Sequence, residues 1–383
     1  MLRIAIVTNV IPSYRRGFYE RLMMRPDLEL TVFCQDSLPG FNIRTIHHEL
    51  RSMVRLVPFV GLRGERLVVQ ALPWRELQSK FDVVFVNGNP RILSHVALAT
   101  LLHWRNRPVV LWTSARSWRN RRLSEWLRFG WMRMFRHILT YTDDDVTFLR
   151  ARGFATQDLV GQNNGLDQSR IDRAASAWDD TSLEAWRHEH HLVGRRVVLS
   201  CARLDAKNRF DIWIKAMPAV VAKYPNLLWC VVGAGAESDR LAAQAQAGGL
   251  TTHIRFLGEI YDEDALAPWF MSAEIAVHPA AIGLGVMHAF GYGLPLVTHG
   301  NARTHGPEFA AVKEAQTGVC YAEGDAEALG NAVSMLLADE ALRMRLGNNA
   351  LSVVRTTYNV DVMVERFVAI AYRAAMATRK PLT

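Results

Sequence analysis

The sequence predicts an α/β protein built from two doubly wound parallel-sheet domains. Three observations support this. Short apolar runs alternate with amphipathic, helix-like segments along the chain, which is the pattern of βαβ units. The alternation weakens once, over the polar residues 161–194, and then starts again. The chain's 383 residues, about half of them apolar, provide material for two buried cores.

The first series opens with LRIAIVTNV, a helical RGFYERLMM and LELTVFC. FDVVFVNG, RPVVLWTS and HILTYT follow, each with a helical stretch behind it. The opening MLRIAIVTNVIPSYRRG has no long apolar run after its early arginine, so it reads as a first strand rather than a signal peptide. No run of 18 apolar residues occurs, and no transmembrane helix is expected. Asp143, Asp144 and Asp145 follow HILTYT and read as a helix N-cap rather than a metal-binding acid pair.

The turn residues Asn163, Asn164 and Gly165 mark the connection, so residues 1–165 form the first expected domain and 166–383 the second. RRVVLSCAR, LLWCVVGAG, HIRFLGEI, AEIAVHPA and LPLVTHG are the strands of the second series. Three helical segments close the chain at 325–338, 340–356 and 360–377. The last has the alternative of packing back on the first domain.

Charge separates the halves. Residues 1–165 carry 24 Lys+Arg against 13 Asp+Glu, a net of +11, and the remainder carries 21 against 24, a net of −3. An anionic partner for the first half alone is expected. The four cysteines, Cys34, Cys201, Cys230 and Cys320, are widely spaced and form no CxxC or Cys/His cluster. They read as buried free thiols of a reducing, cytoplasmic compartment.

Ligands of open parallel sheets bind beyond the carboxyl ends of the strands, so candidate residues should follow strands. After RRVVLSCA comes RLDAKNRFD, with Arg203 at the strand exit and Lys207 and Arg209 near the next helix start. Cations there suit a diphosphate; the alternative is a solvated basic turn. After LLWCVV comes GAGAESDRL, whose sixth position is Ser238 and not glycine. That is a weak phosphate signal, equally served by a tight turn. In AAIGLGVMHAFGYGLP, residues 280–295, Gly283 and Gly285 fall at a loop and the first turn of a helix. Their amides can face phosphate oxygens; the alternative is close packing. His288 lies one turn in and can reach a ribose or sugar hydroxyl, if it is not a structural histidine.

Taken together these segments resemble glycosyltransferase family 4, the retaining, metal-independent enzymes of the GT-B fold, in which two Rossmann-like domains face a cleft. The resemblance spans nearly the whole chain and is strongest from 195 to 337. It is carried by NNGLD, RLDAKNRFDIWIKAM, VVGAGAESDRL, HIRFLGEIYDEDAL, the glycine-rich helix entrance, HGPEF and GVCYAEGD in that order. It implies a nucleotide-sugar donor held by the second domain. Arg203 and Lys207 match the diphosphate-binding pair, and Arg209 competes for the second role because the family's pair is one residue further apart. Gly283, Leu284 and Gly285 match the phosphate and sugar loop. Gly258, Glu259 and Ile260 match the loop beside the base, and Gly233 opens another donor loop.

The family's two glutamates, eight residues apart, fall here on Ala280 and His288. His288 is then the expected ribose contact, and Glu308 the replacement sugar contact. The first domain lacks the usual histidine after its fourth strand and has WTSAR instead, with Ser114 and Arg116. SYRRG, with Tyr14, Arg15 and Arg16, replaces a Gly-Gly loop. A similar HAFGYGLP helix ends one branch of the family, so these departures read as variation rather than loss of activity. The resemblance implies a nucleotide sugar as substrate, no metal or other cofactor, and a glycan or lipid-linked acceptor in cell-surface polysaccharide, lipopolysaccharide or glycolipid synthesis. A sugar-nucleotide 2-epimerase or an inactive nucleotide-sugar-binding relative is the alternative.

The segment 117–137, SWRNRRLSEWLRFGWMRMFRH, has more aromatic and basic residues than a sheet-covering helix needs. Trp118, Arg121, Arg122, Trp126 and Trp131 suit an anionic membrane surface, which predicts a peripheral protein at the inner face of the membrane. Residues 52–69 have a similar mix. Nucleic acid is not expected as the partner.

Overall fold

The computed structural model describes residues 1–37, 45–62, 66–116 and 122–377, except the side chains of 122–124. The chain divides into two compact units, Met1–Asn164 with Val360–Thr383, and Gly165–Asn359. Both are Rossmann-like.

The first unit contains β1 (Leu2–Val7), α1 (Arg16–Met23), β2 (Leu28–Cys34), β3 (Val54–Leu56), β4 (Phe59–Leu62), β5 (Leu67–Gln70) and α2 (Trp74–Ser79). It continues through β6 (Val83–Asn87), α3 (Leu93–Trp104), β7 (Val109–Trp112), α4 (Arg122–Met132), β8 (His137–Thr140), α5 (Asp143–Arg150) and β9 (Asp158–Gly161). Seven strands form one parallel sheet in the order β3-β2-β1-β6-β7-β8-β9. Ile4, Ala5, Ile6 and Val7 of β1 are all buried, because helices cover both faces of a parallel sheet. β4 and β5 make a separate antiparallel hairpin.

The second unit contains α6 (Gln168–Ser176), α7 (Asp180–Glu189), β10 (Arg196–Cys201), α8 (Phe210–Lys223), β11 (Leu227–Val232), α9 (Ser238–Ala247) and β12 (Ile254–Gly258). Then come α10 (Glu263–Met271), β13 (Ile275–Val277), α11 (Gly285–Gly291), β14 (Leu296–His299), β15 (Gly318–Tyr321), α12 (Ala326–Ala338) and α13 (Glu340–Thr356). Its six strands are parallel in the order β12-β11-β10-β13-β14-β15.

The last helix, α14 (Val360–Ala377), belongs to the first unit, the alternative that the sequence offered for it, so the second unit is shorter than the expected 166–383. Phe367 stacks on Phe85 at 4.0 Å and meets Phe18 edge-on at 5.4 Å. Arg366 pairs with Asp143 at 2.7 Å and Arg373 with Asp158 at 2.8 Å. An amphipathic helix goes where its apolar face is covered, whatever its place in the chain.

Two further sequence expectations are adjusted. The cap of α5 is Thr142, whose hydroxyl accepts from the Asp145 N–H at 3.1 Å. The three aspartates occupy the first turn, where carboxylates favour the helix dipole. The polar connection also holds regular structure: α7 starts on a reciprocal Asp179–Ser182 capping box. Among the described residues no helix is long and apolar enough to cross a membrane.

Candidate functional site

In the second unit the chain winds in opposite senses from β10 and β13, and the predicted residues follow the carboxyl ends of β10 to β14. Arg203 and Lys207 are exposed in the loop after β10, Lys207 within a short 3-10 turn. Arg209 adopts φ 51°, uncommon for a non-glycine, and pairs with Asp211 at 3.1 Å.

Backbone contacts link the loops. The Gly233 N–H donates to the Gly258 carbonyl at 2.7 Å. A Cβ at Gly233, which has φ 133°, would lie 2.0 Å from the Ala202 carbonyl oxygen. A Cβ at Gly285 would lie 2.3 Å from the Cys201 oxygen. The Gly306 N–H donates to the Ile282 carbonyl at 2.8 Å. Arg203, Gly233, Gly258, Leu284 with its flanking glycines, and the Glu308 turn therefore sit on loops in contact. Glu308 is buried in a short 3-10 turn, Glu259 is exposed and Ile260 is half-buried against the core.

The two glycines of the helix entrance differ. Gly285 is required by packing against the β10 exit. A Cβ at Gly283 would have no neighbour within 4 Å. Packing therefore leaves position 283 open to another role.

His288 does not stand alone. Its Nε2 lies 3.0 Å from Glu263 Oε2, and the Tyr292 hydroxyl donates to Glu263 Oε1 at 2.8 Å. Burial pushes the Glu263 carboxyl up, but the hydrogen bond and charge of His288 and the Tyr292 hydroxyl outweigh this and draw it down. A carboxylate is thus present beside position 288, supplied by α10. Ala280 is buried, and Ala281 after it takes φ 50°.

Three buried histidines adjoin these loops, and the sequence reading missed them. His305 Nδ1 accepts from the Ile282 N–H at 3.1 Å, and its ring lies 4.0 Å from that of His299. Because Nδ1 accepts, Nε2 carries the proton and lies 2.9 Å from the His299 carbonyl. His278 ends β13. Burial pulls both His278 and His305 down to about 4. Each is neutral when folded, whereas the unfolded chain takes up a proton near 6.5. Their stabilisation is complete above pH 6.5 and is lost as pH falls from 6.5 to 4, by up to about 3 kcal/mol each. Asp145, which burial raises to about 6, acts the opposite way in the first unit. Urea unfolding of the second unit, followed by tryptophan fluorescence, should lose stability over that window; a flat profile refutes this.

In the first unit a cleft of about 480 Å³ opens beyond β1, β6, β7 and β8, at the point where the sheet order reverses. Tyr14, Arg15, Ser114 and Arg116 line it. Arg15 is buried, donates to Gln162 Oε1 at 3.2 Å and Asn164 Oδ1 at 3.0 Å, and lies 5.2 Å over the Trp112 ring. Arg16, expected with them, turns to Glu49 and Glu20 and does not line the cleft. Arg91, Arg128 and Tyr141 also line it. The sequence signal for Arg91 was the NGNPR turn directly after a strand. The cleft floor is braced by Gln70, whose Nε2 donates to the Thr8 carbonyl at 3.0 Å and to Gln35 Oε1 at 2.9 Å.

Of the membrane residues, Trp118 and Arg121 and the Arg122 side chain lie outside the described residues. Trp126 is 69% exposed beside exposed Leu127. Trp131 instead packs on Phe135 and donates its indole N–H to Thr100 Oγ1 at 3.0 Å. Among the described residues, no group of three or more His, Cys, Asp or Glu could hold a metal ion.

This arrangement of the second unit coincides with a family match. Residues 184–353 match the family Glycosyl transferases group 1. The group 1 segment contains Arg203, Lys207, Gly233, Gly258, Gly283, Gly285, His288 and Glu308. The chain is 26% identical over 280 residues to the lipopolysaccharide core biosynthesis mannosyltransferase LpcC of Rhizobium leguminosarum bv. viciae, covering 70% of this chain and 72% of that protein. It is 26% identical over 190 residues to a phosphatidyl-myo-inositol mannosyltransferase of Mycobacterium leprae, covering 48% of each. The chain thus spans about half the length of that second relative. Among solved structures, Anabaena HepE in complex with UDP aligns over 97% of this chain and 100% of its own, with a TM-score of 0.73 at 16% identity. That likeness concerns architecture: the two Rossmann-like units are those of the GT-B fold.

Proposed function

We propose that the protein is a retaining, metal-independent glycosyltransferase. It moves a sugar from a nucleotide-sugar donor to a glycan or lipid-linked acceptor of a cell-surface polysaccharide or glycolipid. The observation that carries this reading is the contact between the loops bearing Arg203, Gly233, Gly258, Gly283–Gly285 and Glu308, inside the group 1 segment. The mannosyltransferase relatives support the substrate class.

In this reading the bond between the anomeric carbon and the diphosphate oxygen breaks, and the negative charge grows on the leaving nucleoside diphosphate. Arg203, Lys207 and the amides of 283–285 stabilise that charge, so the cations do the work a metal ion does elsewhere. The acceptor hydroxyl attacks from the same face and passes its proton to a phosphate oxygen. Glu263 holds His288 through Nε2, which leaves Nδ1 for a donor hydroxyl. Glu308 contacts the sugar.

The test is incubation with a panel of nucleotide sugars and glycan acceptors in EDTA, with product anomers read by NMR. Transfer with the donor's anomeric configuration is expected. Inverted product removes retention, loss of turnover in EDTA removes metal independence, and sugar interconversion without transfer points to an epimerase. No turnover of any donor overturns the whole reading.

The protein also acts at an anionic membrane surface in this proposal. Trp126 and Leu127 on α4, and Val60 and Leu62 on β4, are exposed apolar side chains in the unit with the basic excess. Co-sedimentation with phosphatidylglycerol liposomes at low salt is expected to capture most of the protein. Full recovery in the supernatant removes the membrane claim.

A further inference from the structure

Among the described residues, the cleft of the first unit is lined by four arginines, Arg15, Arg91, Arg116 and Arg128, and by no Asp, Glu or Lys. Some arginines elsewhere in that unit have carboxylate partners, as Arg3 with Asp82, Arg25 with Asp27, Arg55 with Glu76 and Arg373 with Asp158, and others, such as Arg107 and Arg150, donate to backbone carbonyls outside this cleft. The cleft arginines meet neutral groups. Arg15 donates to two side-chain amides, Arg128 donates to the Ser114 and Ala115 carbonyls, and Arg116 lies 5.0 Å over the Phe148 ring. None of the four forms an ion pair with a described residue. The charges of Glu125 and Asp145 act on Arg128, and Asp145 also feels Arg116, but neither carboxylate lines the cleft and Asp145 is buried.

Guanidinium groups gathered around a concave space, with carboxylates kept off its walls, make a site for an anion. Each offers a planar fork of donors, and the low-dielectric aromatic walls of Trp112 and Tyr141 concentrate the field. The cleft is large enough for a sugar unit, and Asn9, Asn87 and Asn89 on its rim supply neutral hydrogen-bonding groups for hydroxyls.

We propose that this cleft binds a sugar-bearing ligand through an anionic substituent, a phosphate monoester or a carboxylate, held by Arg15 and Arg116 with Arg91 and Arg128 in support. Naming that ligand the acceptor rests on the glycosyltransferase reading; the binding itself does not.

The test is calorimetric titration of the full chain, without donor, using glucose, glucose 6-phosphate, glucuronate and soluble dihexanoyl phosphatidic acid. At least one of the two sugar anions is expected to bind about tenfold or more tightly than glucose, with affinity falling as salt rises. Glucose 6-phosphate in the lead identifies a phosphorylated glycan and glucuronate an acidic sugar, whereas phosphatidic acid ahead of both overturns the sugar-bearing ligand. Arg116→Gln, at an exposed position, is expected to weaken the preferred anion about tenfold, with the urea midpoint measured alongside because Arg116 also covers the Phe148 ring. Arg91→Gln provides a second variant. Equal binding of glucose and all three anions overturns the proposal, as does anion binding that neither variant weakens. Donor turnover without anion binding fails this inference alone, and anion binding without donor turnover fails only the glycosyltransferase reading.

Discussion

Arg203→Ala is expected to lower turnover at saturating donor by about 100-fold, the scale of losing one preorganised donor to a developing oxyanion. The effect should appear in kcat rather than KM. The charge on the departing diphosphate is largest in the transition state, and only interactions that strengthen there raise the rate. Arg203→Lys keeps the charge but loses the fork, so it should recover only part of the loss. The loop has contacts of its own: the Leu204 N–H donates to the Ala234 carbonyl at 3.0 Å, and Asn208 Nδ2 donates to the Arg203 carbonyl. Circular dichroism and urea midpoints of both variants, measured beside turnover, separate a lost leaving-group contact from a loosened fold. Wild-type turnover by Arg203→Ala would remove the assigned leaving-group site.

Gly283→Ala and Gly285→Ala are expected to fail in different ways, although the residues are two apart. A methyl at 285 would sit 2.3 Å from the Cys201 carbonyl oxygen. The Cβ is fixed on the helix backbone and the oxygen it meets is backbone too, so α11 or the β10 exit has to move, at a cost of about 1–3 kcal/mol or more. A methyl at 283 meets nothing within 4 Å, and stability should stay within about 0.5 kcal/mol of wild type. If the 283 amide faces donor phosphate, the same methyl obstructs the ligand and donor affinity drops by about tenfold or more, one lost charge-assisted contact. Urea unfolding and donor titration of the two variants separate packing from binding. An unchanged midpoint for Gly285→Ala refutes the packing requirement, and unchanged donor affinity for Gly283→Ala refutes the phosphate-facing amide.

Much of the architecture was legible because parallel strands buried on both faces read as unbroken apolar runs. LRIAIV, VVFVN, RVVLSC and LLWCVV all became sheet strands. The short β9 was not read, since its four residues DLVG sit against a polar segment and carry no period of their own. The hairpin of β4 and β5 was also unread, because its two strands lie outside the parallel sheet. Candidate residues were found by position after strands, which works when each loop supplies its own chemistry. It missed His278, His299 and His305, and it missed Glu263, whose meaning depends on what it faces.

Local sequence by itself determined the two series of strands and helices, the point where one ends and the next begins, and the strand-exit positions of Arg203, Gly233 and Gly283. These follow from hydrophobic period and turn chemistry, which act over a few residues. Tertiary structure alone decided which unit takes α14, why position 285 is glycine, that Glu263 supplies the carboxylate beside His288, and that Arg91 and Arg128 join Arg15 and Arg116 around one cleft. Each of these is a contact between residues far apart in sequence. Such contacts depend on which strands lie side by side and how closely their backbones approach, and no local period records either.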